Sequence, residues 1–135
     1  DATAGGINLQ ADDGKGVHII GRIHEQLTKV DVDSQSATLT TSQLKSGLII
    51  HTSVSGAGEI TVPTGTDICT DILSRNNNES IMVYYVNDGN QNVTFLTNTG
   101  ITLRNTTPTI ATNKGTMLIF FRTGSNTVDL LFMSS

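Results

Sequence analysis

The chain is dominated by short runs of β-branched and aromatic residues that are separated by turns rich in Gly and Asn. These residue types fit the pleated, half-buried surface of a β-sheet, and short runs spaced by such turns are typical of all-β proteins. The clearest runs occupy residues 80–86, 93–96, 101–103, 116–121 and 127–133. We therefore predict an all-β fold, an antiparallel jelly-roll-like sandwich with one short helix, rather than an enzyme built from parallel strands and helices.

Two regions of different composition divide the chain. Residues 1–36 are rich in Gly and Asp and have too few apolar side chains to offset the entropy of ordering them. Such a segment must pack on the main domain, pair with other chains or remain mobile, and we predict that it forms a stalk-like or arm segment. Residues 37–135 are predicted to form the β head domain, with further strands at 37–40, 47–54 and 59–63.

The head region contains two helical signals. Residues 41–47 are predicted to form a single turn, which Gly47 can end in the left-handed conformation. The only full helix is predicted to follow Pro63, where Thr66 or Asp67 can accept hydrogen bonds from the free amide groups. Its apolar residues recur at helical spacing and should share one face: Ile68, Cys69, Ile72 and Leu73.

Composition argues against several classes of protein. At 135 residues the chain has the length of one domain, and its single cysteine, Cys69, cannot form an internal disulfide. A net charge of -4 and scattered basic residues argue against nucleic-acid binding, which requires clustered Lys and Arg. No run of about 18 apolar residues is present, so we predict no membrane insertion.

A succession of short motifs runs through the head region: ATLTTSQL at 37–44, GLI at 47–49, ITVPT at 60–64 before the apolar helix, and VYYVN at 83–87. This succession resembles the C-terminal β heads of viral fibre and collagen-like surface proteins, which giant viruses, virophages and tailed phages carry. The resemblance covers residues 37–133 and implies a jelly-roll-like homotrimer at the tip of a fibre on the virion surface. It implies a non-catalytic role in attachment or trimer registration. Gly does not recur at every third position, so a collagen-like stalk is not visible in the sequence.

Two of the predicted strands, 81–86 and 117–121, are apolar on both faces. A strand in a sandwich with one wetted face alternates apolar and polar residues, so the second face of these strands must also be covered. The cover is either an opposing sheet with a helix of the same chain or another subunit. The resemblance favours a homotrimer, and its candidate core consists of Ile81, Val83, Tyr85, Leu118, Phe120, Leu130 and Phe132.

No metal-binding pattern stands out in the sequence. The pairs among His18, His24 and His51 do not have the spacing of zinc ligands, so we predict solvated or capping histidines and no cofactor. One alternative stays open, because a threefold axis can gather three copies of His18 or His24 around an ion. The acidic stretches 12–13 and 31–33 are interpreted as solvated turns, since neither continues as a calcium-binding loop.

Catalytic patterns are equally weak. A carboxyl pair for glycoside hydrolysis would have to come from Asp67, Asp71 and Glu79, but the dipole of the predicted helix explains at least Asp67 without chemistry. The sequence contains no Gly-x-Ser-x-Gly elbow for a nucleophilic serine. We therefore predict that the chain is not an enzyme.

Three loops of the head region are dense in amide and hydroxyl groups, which can hydrogen-bond a sugar in place of water. Turn chemistry explains the same composition, and no Trp is present to stack on a sugar ring. We expect attachment to a host surface glycan or another receptor, with a purely structural trimerisation or capsid-decoration module as the alternative. The candidate receptor-binding residues are Asn76, Asn77, Asn78, Asp88, Asn90, Gln91, Asn105 and Thr106.

Overall fold

The computed structural model describes residues 27–52, 55–105 and 109–133, and these contain ten strands and two helices. In chain order the elements are β1 Thr28–Val32, β2 Ala37–Thr38, α1 Thr41–Ser46, β3 Gly47–His51, β4 Gly58–Thr61, α2 Gly65–Asp71, β5 Ser80–Asn87, β6 Val93–Leu96, β7 Ile101–Leu103, β8 Thr109–Ile110, β9 Lys114–Arg122 and β10 Val128–Met133. The strands form two sheets, which confirms the predicted all-β fold.

The strands alternate between the two sheets along most of the chain. One sheet has six strands in the order β1-β3-β5-β9-β10-β7, and the other has four in the order β2-β4-β6-β8. Five strand pairings are parallel, and three are antiparallel. The predicted antiparallel arrangement is therefore wrong, and the parallel pairs differ from the Greek-key pairs of a jelly roll.

The parallel pairs follow from the winding path of the chain. β1 and β2 form one coil, with one strand in each sheet. β3 and β4 form the next coil in the same way, and β5 and β6 form the third. Each coil repeats the direction of the one before it, so Val30, Ile49 and Tyr85 stand in register across the six-stranded sheet. The turns after β3 and β5 therefore join strands of different sheets instead of neighbours in one sheet.

The core lies between the two sheets. Tyr85 of the six-stranded sheet packs edge-on against Phe95 of the four-stranded sheet, with 4.8 Å between ring centroids. Phe95 packs in the same way on Phe132 at 5.1 Å. Such edge-to-face contacts are favourable for aromatic rings. The buried residues Ile68 and Cys69 of α2 join the same core.

The residues predicted to form a trimer core belong to the core of the single chain. Six of them are buried there: Val83, Tyr85, Leu118, Phe120, Leu130 and Phe132. Ile81 is half-buried and packs against the same cluster. Their assignment to a trimer core is corrected, because alternate strand positions point to opposite faces and these positions point toward the four-stranded sheet.

Both helices carry local capping signals. α1 has a capping box with Thr40 as its N-cap, and it ends at Gly47 with a φ of 81°, as predicted. The N-cap of α2 is Thr64, whose hydroxyl accepts from the backbone amide of Asp67, rather than Thr66 or Asp67 as predicted. The described residues therefore contain two short helices, where the sequence predicts one helix and one helical turn.

The six-stranded sheet begins earlier in the chain than the predicted head domain. β1 pairs in parallel with β3, and Val32 of β1 is buried in the core. This strand belongs to the segment 1–36 that the sequence predicts as an arm, so part of that segment is an edge strand of the sheet. Residues 1–26 lie outside the described residues.

Candidate functional site

The six-stranded sheet has a second face whose side chains are exposed or half-buried. On β5 the inner residues Val83 and Tyr85 are fully buried, whereas Met82 and Tyr84 expose 55% and 45% of their surface. We call the side chains that point away from the four-stranded sheet the outer face. Its apolar members are Leu48, Ile50, Met82, Tyr84, Val86, Met117, Ile119, Phe121, Leu131 and Met133.

Strand register brings these side chains together in rows. Tyr84 lies opposite Leu48 on one side and Met117 on the other, and Met117 lies opposite Met133. The neighbouring row is also apolar and consists of Met82, Ile119 and Leu131. Directly opposite residues on one face have Cβ atoms about 4.5–5.5 Å apart, so the rows form a continuous apolar patch.

Charged side chains flank this patch on the edge strands. On β1, Lys29 and Asp31 stand opposite the outer-face residues of β3 and pair with each other at 3.0 Å. At the other edge, the Nε group of Arg104 donates to Oδ2 of Asp129 at 2.6 Å. An apolar centre with a polar rim is the usual arrangement of a protein–protein interface.

The outer face has the size of a specific interface. Its strands range in length from the three residues of β7 to the nine residues of β9. With a rise of about 3.3 Å per residue and about 4.8 Å between strands, they span a plane area on the order of 600 Å². A standard interface buries about 800 Å² on each partner, so this face supplies most of that area.

The predicted receptor-binding loops lie at opposite ends of the sheet. Residues 76–78 precede β5, whereas Asp88, Asn90 and Gln91 follow it. Because β5 has eight residues, the two groups are separated by about 26 Å. The structure therefore separates residues 76–78 from the other predicted receptor-binding residues that it describes.

Asn105 lies at the same end as Asp88. It follows β7, which runs parallel to β10 and hence to β5. Its amide group donates to the carbonyl oxygen of Phe132 at 2.6 Å, and its oxygen accepts from the amide of Phe132 at 3.0 Å. These two bonds anchor the loop to β10. Thr106 lies outside the described residues.

A polar cleft, which we call the end cleft, forms where the loops after β3 and β5 meet the turn before β9. It has a volume of about 430 Å³, and its described lining residues are Thr52, Ser55, Asp88, Gly89, Asn90, Thr112 and Asn113. Only Asp88 and Asn90 are predicted from the sequence. The others come from distant segments that the pairing of β3, β5 and β9 gathers, and turn composition alone carries no signal of that pairing.

The buried side chain of Asn87 holds the loop beneath the end cleft. Its amide nitrogen donates to the carbonyl oxygens of Gln91 and Ile110 at 2.7 Å and 3.1 Å. Its oxygen accepts from the backbone amide of Gly89 at 3.1 Å. A buried amide side chain with partners for both of its polar atoms fixes the loop in one conformation.

His51 is fully buried, in contrast to the solvated or capping role predicted for the histidines. Its Nε2 atom lies 2.6 Å from the carbonyl oxygen of Ser34, which can only accept, so Nε2 donates this hydrogen bond. Its Nδ1 atom lies 2.6 Å from the hydroxyl of Tyr85 and accepts a hydrogen bond from it. Burial raises the pKa of the Tyr85 hydroxyl well above its ordinary value, which keeps this donor protonated.

The carboxylates considered for glycoside hydrolysis each have a local structural partner. Asp67 accepts from the hydroxyl of Thr64 at 2.7 Å, and Asp71 accepts from the hydroxyl of Thr41 at 2.6 Å. Glu79 accepts from two backbone amides of the preceding loop, both at 3.2 Å. Helix capping accounts for Asp67, a contact between α1 and α2 for Asp71, and loop anchoring for Glu79.

Among residues 27–52, 55–105 and 109–133, no group of three or more His, Cys, Asp or Glu side chains could hold a metal ion. The predicted candidates His18, His24 and 12–13 lie outside these ranges, and Asp31 pairs with Lys29. No helix in the described part of the chain has the length and apolar character needed to span a bilayer.

Comparison with known proteins gave no match: no family model, no curated protein and no solved structure is similar to this chain. Function is therefore inferred from the outer face, the end loops and the chemistry of the residues that form them.

Proposed function

We propose that this chain is a non-catalytic β head domain that forms a homotrimer through its outer face and attaches a virion to a host or carrier surface. The observation that carries the proposal is the outer face itself, an apolar patch on a sheet whose other side already fills the core of the chain. Large contiguous apolar patches on soluble proteins mark interaction sites. Another copy of the chain offers the same patch in return.

Covering the outer face offsets a large part of the free-energy cost of association. Burial of apolar surface stabilises by about 25 cal/mol per Å². A few hundred Å² therefore contributes on the order of 10 kcal/mol, which is comparable with the roughly 4–15 kcal/mol that association costs in lost freedom. Self-association of this kind depends on chain concentration, and a shared stalk would favour it by holding the copies together.

The number of copies and the viral setting come from the sequence resemblance, and the outer face supports self-association as such. In a trimer each subunit contacts two others, so the patch is divided between two neighbours around the axis. The loops beyond the strand ends stay open when the sheet face is covered. An assembly of this kind would present three copies of each end loop to a partner surface.

A second candidate is a purely structural trimerisation or capsid-decoration module with no ligand. The separation of residues 76–78 from the loops that contain Asp88 and Asn105 favours it, because the three amide-rich loops do not converge on one binding surface. A glycan array probed with the assembled chain separates the two candidates. Retention on specific glycans supports attachment, and an empty array at high protein density supports the structural module.

Light scattering tests the proposal by comparing the mass of the wild-type chain with the mass of a variant that carries a charged substitution in the outer face. The wild type should have a mass near three times 14.3 kDa, and Met82→Lys should reduce it toward 14.3 kDa by placing a charge in the outer face. The matched control Thr38→Lys introduces the same charge at an exposed position on the four-stranded sheet and should leave the assembly intact. A monomeric wild type, or an unchanged mass for Met82→Lys, would contradict the proposal.

A further inference from the structure

We infer that the end cleft is a binding site for a neutral sugar, such as an uncharged terminal residue of a glycan. The inference rests on the proposed attachment function and names the ligand class and the site. The volume of about 430 Å³ lies within the roughly 300–1,000 Å³ of small-molecule sites. Among the loops predicted to bind a receptor, only the one that contains Asp88 and Asn90 contributes to this cleft.

The lining of the end cleft matches the chemistry of sugar hydroxyls. Each sugar hydroxyl donates and accepts, so it needs partners of both kinds. The carboxylate of Asp88 accepts two hydrogen bonds or more, the amides of Asn90 and Asn113 donate and accept, and the hydroxyl of Thr112 does both. No side-chain hydrogen bond within the described part of the chain uses these groups, and Asp88, Asn90 and Asn113 are exposed to solvent.

The charge of the lining selects against anionic ligands. Asp88 is the single ionisable side chain among the lining residues, and it is an acid. A sialic acid or a phosphate would face this carboxylate without a cation to compensate it. Among the described residues of the lining no aliphatic or aromatic side chain is present, which argues against an apolar ligand. A neutral, hydroxyl-rich ligand is the class that remains.

The backbone that carries these groups is held in place before any ligand arrives. The amide of Asp88 donates to the carbonyl oxygen of His51 at 2.9 Å, and the amide of Gly89 donates to the buried Asn87 side chain. On the other wall, Asn113 has a φ of 57°, and the amide of Lys114 closes the turn onto Ala111 at 3.2 Å. A fixed backbone lowers the ordering cost of binding.

The expected affinity of a single end cleft is weak. With no aromatic platform, a monosaccharide should bind with a Kd on the order of 1 mM, and the assembled chain would gain apparent affinity from several sites acting together. A ligand-observed NMR experiment therefore suits the free monosaccharide, because saturation transfer from protein to ligand reports weak binding and does not require the assembly.

The experiment measures saturation transfer from the full chain to methyl glycosides of glucose, galactose, mannose and N-acetylglucosamine, and to sialic acid. At least one neutral glycoside should bind, and sialic acid should not. Asp88→Ala and the more conservative Asp88→Asn should each weaken binding about tenfold or more, since a charge-assisted hydrogen bond is lost. Ser125→Ala, in the exposed turn between β9 and β10 at the opposite end of the sheet, is the control and should bind like the wild type.

Three results would overturn the inference: no neutral glycoside binds, sialic acid binds as well as the neutral sugars, or both Asp88 variants bind like the wild type. The dispersion of protein NMR signals verifies the fold of each variant. Met82→Lys separates this inference from the proposed function. If the chain does not self-associate, the monosaccharide should still bind the single chain. If the end cleft does not bind a sugar, the mass of the assembled chain should be unchanged.

Discussion

Tyr84 on β5 lies directly opposite Met117 on β9, and both side chains point away from the core of the chain. Their neighbours Tyr85 and Thr116 are paired on the inner face of the same two strands, and both are buried. This pair of strands therefore has a filled inner side and an apolar outer side. This apolar outer side is the surface that we propose a sister chain covers.

The first prediction concerns the centre of the outer face. Tyr84→Lys should convert the assembly into single chains, because a buried, unpaired ammonium group is costly in an apolar interface. The free energy of unfolding of the single chain should change by less than about 0.5 kcal/mol, since the position is exposed there. Size-exclusion chromatography with light scattering and urea denaturation measure the two effects. Tyr84→Phe is the control and should stay assembled, and a Tyr84→Lys variant that also stays assembled would count against the interface.

The second prediction concerns the buried hydrogen bond between Tyr85 and His51. Tyr85→Phe removes the hydroxyl that donates to Nδ1 of His51 and leaves a buried acceptor without a partner. The free energy of unfolding should fall by about 1–3 kcal/mol in urea denaturation. Tyr84→Phe removes an equivalent hydroxyl from an exposed ring on the adjacent residue and should cost much less. Equal losses from the two variants would contradict this account of the buried bond.

The third prediction is a pH dependence that belongs to Tyr85. Burial raises the pKa of its hydroxyl in the folded chain above the ordinary value of 10.0, so the unfolded chain releases this proton first. Its contribution to stability is complete below pH 10 and should be lost as the pH rises above that value. The difference in unfolding free energy between wild type and Tyr85→Phe should therefore shrink above about pH 10. A difference that stays constant across alkaline pH would show that this hydroxyl does not titrate as described.

The fourth prediction concerns the close approach of Gly100 and Gly65. Gly100 has a φ of 79°, and a Cβ atom added to it would contact the carbonyl oxygen of Asn126 and lie 3.2 Å from Cα of Gly65. Gly100→Ala should lower the free energy of unfolding by more than about 1 kcal/mol, because both the conformation and the space are unfavourable. Thermal unfolding measures the loss. In the control Gly115→Ala the nearest atom is 3.2 Å away and φ is not positive, so the loss should be smaller.

The positions of the elements follow well from the sequence. The predicted runs at 93–96 and 101–103 coincide with β6 and β7, and the turn ended by Gly47 is present as α1. These elements depend on local properties, namely β-branched side chains, a left-handed glycine and a capping threonine. β1 escapes prediction because its Lys and Asp side chains give a polar composition to a strand that is held at the sheet edge by pairing with β3.

The pairing of the strands and the inward side of each strand do not follow from the sequence. A turn of Gly and Asn indicates that the chain bends, but it carries no information on which sheet the next strand joins. Where both faces of a strand are apolar, the alternation cannot distinguish Val83 from Tyr84 as the inward residue. The residues predicted to form the trimer core are therefore the ones that point into the core of the single chain. The residues available to a partner are the alternate positions, which point outward. The same long-range pairing gathers Thr112 and Asn113 into the end cleft.

Sedimentation equilibrium of the unmodified chain over a wide range of protein concentrations tests the central claim most directly. Covering of the outer face by sister chains predicts a species of three times 14.3 kDa that dissociates toward 14.3 kDa only at low concentration. A single species of 14.3 kDa at every concentration would contradict the claim, because the outer face would then remain in contact with water.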